Sequence, residues 1–274
     1  MKGHQSFQTV RYEIESEKLP RGEKITVAFL SDLHGYDHGQ AALCSAVREE
    51  GADLVLCGGD MILRVDPFSF ATALGVLKNL AGDFPVYLGL GNHEASLEEG
   101  RAKGKNAKEM LEGYPSYAKA LSEAGVVTLR NESVSLSVKG IKLCVTGLNM
   151  PLENYKKPFP PSFSLAQMED LVGKGPKGEG PLHFLLAHNP YFARTYFSWG
   201  ADVTLSGHYH GGIWRLGERC IIASPYFHPF PRYGVGDFHE GNSHLFVSPG
   251  LGEHSIPLRI CNPRELFMVC VKGA

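Results

Sequence analysis

Five short apolar runs in the sequence each pass into Asp, Asn or His at their carboxyl ends. ITVAFLSD (25–32) leads to Asp32 and His34, and ADLVLCGGD (52–60) leads to Asp60. PVYLGLGNH (85–93) leads to Asn92 and His93, PLHFLLAH (181–188) to His188, and ADVTLSGHYH (201–210) to His208 and His210. One such residue at a strand end is ordinary surface chemistry, whereas five coincidences at equivalent places are not. Carboxylate, amide and imidazole donors suit borderline divalent ions such as Mn, Fe, Co, Ni or Zn, and the lack of thiolates among them argues against a structural zinc site. The donors outnumber the needs of one tetrahedral ion. They match two ions sharing a carboxylate, at the roughly 3.5–4 Å spacing of dinuclear hydrolases.

Donors so far apart in sequence must be delivered to one place, and in open α/β sheets the loops beyond the strand carboxyl ends provide it. Between the first three runs, residues 39–50 put Ala42, Leu43, Ala46 and Val47 on one helical face, and 66–80 do the same with Phe70, Ala73, Leu74 and Leu77. Strand–helix–strand alternation predicts βαβ crossovers and a largely parallel sheet. A longer helix is expected over about 105–124. Segments 126–138 and 141–147 read as consecutive strands around Lys139-Gly140, and HLFVSPG, IPLRI and ELFMVCV make the closing part strand-rich, with no helix expected after about 197. The expectation is an α/β fold of two mixed β-sheets packed face to face and flanked by helices, as a single domain over residues 1–274.

Asp32-Leu33-His34, Gly59-Asp60, Gly91-Asn92-His93-Glu94, His188 in Ala-His-Asn-Pro and Gly207-His208-Tyr209-His210 resemble, in this order, the five motif blocks of the calcineurin-like metallophosphoesterases. The stretch Gly207-His208-Tyr209-His210-Gly211-Gly212, and Ser248-Pro249-Gly250-Leu251-Gly252 followed by Pro257-Leu258-Arg259, are similar to a bacterial branch of small phosphodiesterases. Many members of that branch carry an N-terminal membrane anchor and are linked to phospholipid-like substrates. No such anchor is read at the start of this sequence.

The resemblance implies a four-layer αββα sandwich with Asp32, His34 and His210 on a first metal, Asp60 bridging both, and Asn92, His188 and His208 on the second. It implies in-line attack on phosphorus by a metal-bridging hydroxide. His93 is then the catalytic residue, protonating the leaving alkoxide as general acid or stabilising phosphoryl charge. The expected function is a dinuclear metal-dependent phosphoesterase, a phosphodiesterase ahead of a phosphomonoesterase. Its rivals are a catalytically silent metal-binding scaffold of the same fold and a mononuclear enzyme of other chemistry, although no HExxH helix is present.

One position departs from a related branch. Protein phosphatases of the superfamily carry an Asp three residues after the bridging Asp to orient the catalytic His, and here that residue is Leu63, which argues against phosphoprotein substrates. Arg64 coincides with a phosphate-binding Arg of that branch and is a substrate-binding candidate. So are Tyr226, Phe227 and Tyr233 in the aromatic-rich 224–239 segment, which could equally cover the end of the core. Asp37 and His38, and the basic run 101–108 after the GNHE motif, read first as solvated loop residues.

With 27 Lys+Arg against 29 Asp+Glu the chain carries a net charge of −2, without the basic footprint of a stable nucleic-acid complex. No window reaches the roughly 18 apolar residues of a membrane span, and the polar start is unlike a signal peptide, so a cytoplasmic location is expected, with peripheral membrane contact left open. The six cysteines form no CxxC pair and read as reduced core thiols. The partner expected is a phosphate-ester substrate, nucleotide-derived or lipid-derived. Oligomeric state and native metals are not readable.

Overall fold

A computed structural model describes residues 7–35, 39–66, 68–176, 178–217, 219–222, 226, 229–253 and 258–274. The chain runs β1 (Gln8–Ser16), β2 (Lys24–Leu30), α1 (Gln40–Glu49), β3 (Leu54–Cys57), α2 (Phe70–Ala81), β4 (Val86–Gly89), α3 (Asn92–Glu98), α4 (Ala107–Glu123) and β5 (Val126–Leu129). It continues through β6 (Glu132–Val138), β7 (Ile141–Leu148), α5 (Leu165–Val172), β8 (Leu182–Ala187), α6 (Ala193–Trp199) and β9 (Val203–Ser206). It closes with β10 (Trp214–Leu216), β11 (Arg219–Ile222), β12 (Gly236–Glu240), β13 (Ser243–Val247) and β14 (Glu265–Gly273).

Two six-stranded sheets form, ordered β1-β14-β2-β3-β4-β5 and β12-β13-β9-β8-β7-β6, with β10 and β11 as a separate ribbon. Both sheets are mixed: β2, β3, β4 and β5 are parallel while β14 runs antiparallel to β2, and β7, β8, β9 and β13 are parallel while β6 and β12 are antiparallel. The central strands are apolar on both faces because both faces are covered. In β2, Ile25, Val27 and Phe29 meet the second sheet's Leu143, Phe184, Leu186 and Leu205 in one core, while Ala28 and Leu30 face Leu43, Val76, Leu77 and Tyr117 of the outer helices. In β8 the same two-residue period sends Leu185 and Ala187 outward onto Met168, Tyr196 and Trp199 of α5 and α6. The layers are therefore helix, sheet, sheet, helix, as expected.

Several elements differ from the sequence reading. The 126–138 stretch is two strands, β5 in the first sheet and β6 in the second. Asn131 at φ 57° turns the chain between them, and its side chain holds that corner by accepting from the Asn149 N–H at 2.7 Å and donating to the Asn149 carbonyl at 3.1 Å. Positive φ at Lys139 and Gly140 gives the expected tight hairpin between β6 and β7. Helix α2 starts at Phe70 instead of 66, after the extended backbone of Ser69. Of the described part of IPLRI, residues 258–260, only Ile260 makes a bridge, to Trp214. Among the described residues no helix follows α6, and none is long and apolar enough to cross a membrane. The cysteines are free and Cys44, Cys57, Cys144 and Cys220 are buried, but Cys261 is exposed and so is not a core thiol.

Candidate metal centre

The carboxyl ends of β2, β3 and β4 from one sheet and of β8 and β9 from the other open onto a shared edge. There Asp32, His34 and His210 come together, as do Asp60, His188 and His208, and a third overlapping set joins His34, Asp60 and His93. His34 Nε2 lies 3.1 Å from His210 Nε2, and His210 Nε2 lies 3.3 Å from Asp32 Oδ1. His188 Nε2 is 3.1 Å from Asp60 Oδ2 and 3.8 Å from Asp32 Oδ1. Two imidazole nitrogens about 2.0–2.1 Å from a common ion stand close to 3 Å apart, so the spacing fits a metal. Buried donor atoms also point there without hydrogen-bond partners, namely Asn92 Oδ1 and His208 Nε2. The residues present fit a metal centre of oxygen and nitrogen donors.

Hydrogen bonds fasten each motif to another. Asp32 accepts from the His208 N–H with both oxygens at 3.1 Å and from Ser31 Oγ at 2.5 Å. Asp60 Oδ1 accepts from the His93 N–H at 2.8 Å. His188 uses Nδ1 to donate to the Gly58 carbonyl at 2.7 Å, which leaves Nε2 to face the two carboxylates. His93 Nδ1 accepts from the Arg64 N–H at 2.8 Å.

The backbone is shaped for this convergence. Asp32, His34, Asp60, His208 and His210 all lie at left-handed φ between 50° and 66°, a conformation that costs about 1 kcal/mol or more apiece and that clusters at working sites. Gly207 is required for a different reason, close approach, because a Cβ there would overlap Ser31 Oγ and Asp32 Oδ2.

Glu94 was not singled out from sequence as a functional residue. Buried to 1% exposure, its carboxylate accepts from the N–H groups of Asp60, Met61, Ile62 and Gly91 at 2.8, 2.7, 3.3 and 3.1 Å. Four donors on one side chain clamp the Asp60 loop to the start of α3. The readable signal was a Glu at the third position of a helix opening on Gly91, from where it reaches back to the free N–H. Burial and the neighbouring Asp60 push Glu94 up to about 7.

Burial sets the protonation of the imidazoles as well. It lowers His34 to about 4 and holds His208 well below its ordinary value, keeping both as neutral donors. For His188 burial works the other way from the carboxylates, and Asp60 with Asp32 outweighs it, raising the ring to about 10. A cation is thus favoured where His188 meets the two carboxylates.

The donor cluster forms the floor of a cavity of about 1480 Å³, lined further by Leu63, Arg64, Phe68, Tyr155, Lys103 and Lys157 among others. Arg64 therefore borders the site. Tyr226 does not: it is fully buried behind His208, ring centroids 5.8 Å apart, and its hydroxyl is tied to Asn189 Nδ2 at 2.7 Å. Tyr233 packs away from the cavity against Phe197 and Phe238. Neither can wall a substrate, because aromatic composition alone does not tell which side of the core a ring takes. Phe227, like Asp37 and His38, lies outside the described residues. The aromatic ring that does border the donors is Tyr155, 5.1 Å from His208 and edge-on.

The calcineurin-like phosphoesterase family model matches residues 25–212. An uncharacterized metallophosphoesterase of Bacillus subtilis, YkuE, is 24% identical over 97% of this chain and 86% of its own length. The phosphodiesterase YaeI of Escherichia coli is 27% identical over 90% of this chain and 82% of its own. A zebrafish transmembrane protein with a metallophosphoesterase domain is 27% identical over 97% of this chain and 57% of its own.

Proposed function

This chain belongs to the calcineurin-like phosphoesterase family and is a metal-dependent phosphoester hydrolase; on that premise we propose that it hydrolyses phosphodiesters at a dinuclear centre. The observation that carries the reading is the meeting of two three-residue donor sets at one sheet edge, linked by the 3.8 Å approach of His188 Nε2 to Asp32 Oδ1. A similar protein named as a phosphodiesterase favours diesters, and Leu63, in place of a carboxylate beside His93, supports the same preference. Both sheets supply donors, which supports one catalytic unit over the whole chain.

In this reading Asp32, His34 and His210 hold the first ion, Asp60 is shared, and Asn92, His188 and His208 hold the second. When bound, such ions supply Lewis acidity, lowering the pKa of a coordinated water and offsetting charge on the phosphoryl oxygens. The donor set accepts Mn, Fe, Co, Ni or Zn. Asn92 keeps the second position from adding another negative charge against the anionic substrate.

His93 supplies the proton-bearing atom. Since Nδ1 accepts from Arg64, the neutral ring carries its hydrogen on Nε2, toward the cavity. That supports stabilisation of phosphoryl charge by a donated hydrogen bond; giving this proton up completely would leave an imidazolate, so full transfer to a leaving oxygen requires the ring first to take a second proton at Nδ1, which displaces the Arg64 bond. Buried surroundings strengthen such a bond relative to water.

The test is Mn²⁺-dependent hydrolysis of bis(p-nitrophenyl) phosphate and p-nitrophenyl phosphate by the wild type and Asp60→Asn, with metal counted by elemental analysis. Two ions per chain and diester turnover exceeding monoester turnover are expected, both lost in the variant. Two bound ions without turnover of either ester would favour the silent scaffold.

A further inference from the structure

The cavity has more positive charge than its donor cluster explains. Arg64, Arg101, Lys103, Lys156 and Lys157 line it, against Asp66, Glu153 and Glu253 outside the cluster. Two of those carboxylates are already engaged: Asp66 Oδ2 accepts from the Asn106 N–H at 3.2 Å, and Glu253 is paired with Arg264. Arg101 is held by Glu99 at 3.2 Å. Arg64 and Lys157 form no ion pair among the described residues, and Arg64 Nε is buried with no hydrogen-bond partner.

These two cations come from distant parts of the chain, and both line the cavity that His93 and His208 also line. Lys157 is lowered by burial and by Arg64, and its charge is felt by both His93 and His208. Arg64 is half-buried and Lys157 exposed, and like charges gathered on one cavity repel each other unless an anion answers them. Arg64 cannot swing its backbone away to relieve this, because its N–H is bound to His93 and its carbonyl accepts from the Lys103 N–H at 3.0 Å. The fold therefore fixes the Arg64 backbone beside the His93 ring and sets Lys157 on the same cavity.

The scissile group does not need this pair. Two divalent ions against Asp32 and Asp60 leave a surplus of two positive charges, which a singly charged diester and a hydroxide match. The cavity, about 1480 Å³, also exceeds the roughly 300–1,000 Å³ of an ordinary small-molecule pocket.

We infer that Arg64 and Lys157 form a second anion subsite, and that the substrate is a phosphodiester with a further phosphate on the arm that is retained when the other ester oxygen departs. This rests on the phosphodiesterase reading above. The arm's phosphate accepts from the Arg64 guanidinium and the Lys157 ammonium in charge-assisted hydrogen bonds, and so holds the retained arm in place.

A matched pair of substrates tests it: p-nitrophenyl ethyl phosphate and p-nitrophenyl 2-phosphoethyl phosphate, with Mn²⁺. Wild type is expected to favour the second in kcat/KM by about tenfold or more. Lys157→Gln and Arg64→Gln should each bring that ratio toward one, and Lys157→Arg should retain it. A wild-type ratio near one, or a ratio unmoved in both Gln variants, overturns the subsite. Calorimetry with ethyl phosphate and 2-phosphoethyl phosphate reads the same preference without turnover. If neither diester is hydrolysed the phosphodiesterase reading fails, while equal affinity of the two ligands in calorimetry rejects the subsite on its own.

Discussion

The backbone N–H of Arg64 donates to Nδ1 of His93 at 2.8 Å, and the opposite ring nitrogen of His93 stands 3.9 Å from Asp60 Oδ2. A main-chain donor here orients the ring at a site where Leu63 takes the place of the carboxylate of the protein-phosphatase branch. Because no negative charge is introduced, the ring stays neutral, consistent with its lowering by burial.

His93→Ala should reduce diester turnover by about 10²–10⁴ with the metal content unchanged, measured by steady-state kinetics and elemental analysis on one preparation. A parallel loss of metal would make His93 a ligand, which its grouping with His34 and Asp60 permits geometrically.

Glu94→Ala leaves the N–H groups of Asp60, Met61, Ile62 and Gly91 without their shared acceptor. Each buried donor left unpaired costs about 1–3 kcal/mol. Thermal denaturation should show Tm lower by roughly 5 °C or more, with weaker metal retention because Asp60 is no longer clamped. An unchanged Tm would mean that water replaces the carboxylate fully.

Gly207→Ala should separate site from fold. The added methyl meets Ser31 Oγ and Asp32 Oδ2, so Asp32 must move while both sheets remain paired. Bound metal is expected to fall from two ions toward one per chain with near-native circular dichroism. Full metal occupancy would show that Asp32 is not a required ligand.

Metal uptake should release a proton at neutral pH. His188 in the ion-free protein is raised from 6.5 to about 10, so an ion must displace its proton and affinity should rise by about tenfold per pH unit from pH 7 to 9. The sign for stability follows: the stabilisation from His188 protonation is fully present below 6.5 and is lost as the pH rises through about 10. Calorimetry with Mn²⁺ in two buffers of different ionisation enthalpy checks the release, and a buffer-independent heat would contradict it.

Sequence patterning revealed the strand ends and hence the donor set, because each donor follows an apolar run whose own period places it at the sheet edge. It was less informative where the partner lies far along the chain. Val10, Tyr12 and Ile14 alternate clearly in β1, yet the strand they pair with is β14, more than 250 residues away. The opening of α3 on Asn92 was hidden because Asn92, His93 and Glu94 read as the polar end of the preceding strand instead of as the first turn of a helix. Of the cationic lining, Arg64 was readable as a substrate candidate, whereas Lys157 was not, since it follows β7 of the other sheet and comes to the same cavity only through the fold. Tyr226 shows the reverse error, an aromatic placed by composition at the site and by packing behind it.

The strand order has a practical consequence for studying this protein. Gln8 opens β1 beside Glu265 at the start of β14, level with the edge where β2 delivers Asp32, whereas Ala274 leaves the other end of the sheet, its N–H bound to the Ser16 carbonyl. A tether or label joined after Ala274 points away from the cavity mouth, and one joined ahead of Phe7 begins beside it. Surface immobilisation through Ala274 therefore presents the catalytic edge to solution, and the two attachments compared on one sensor would report how bulky a ligand that edge admits.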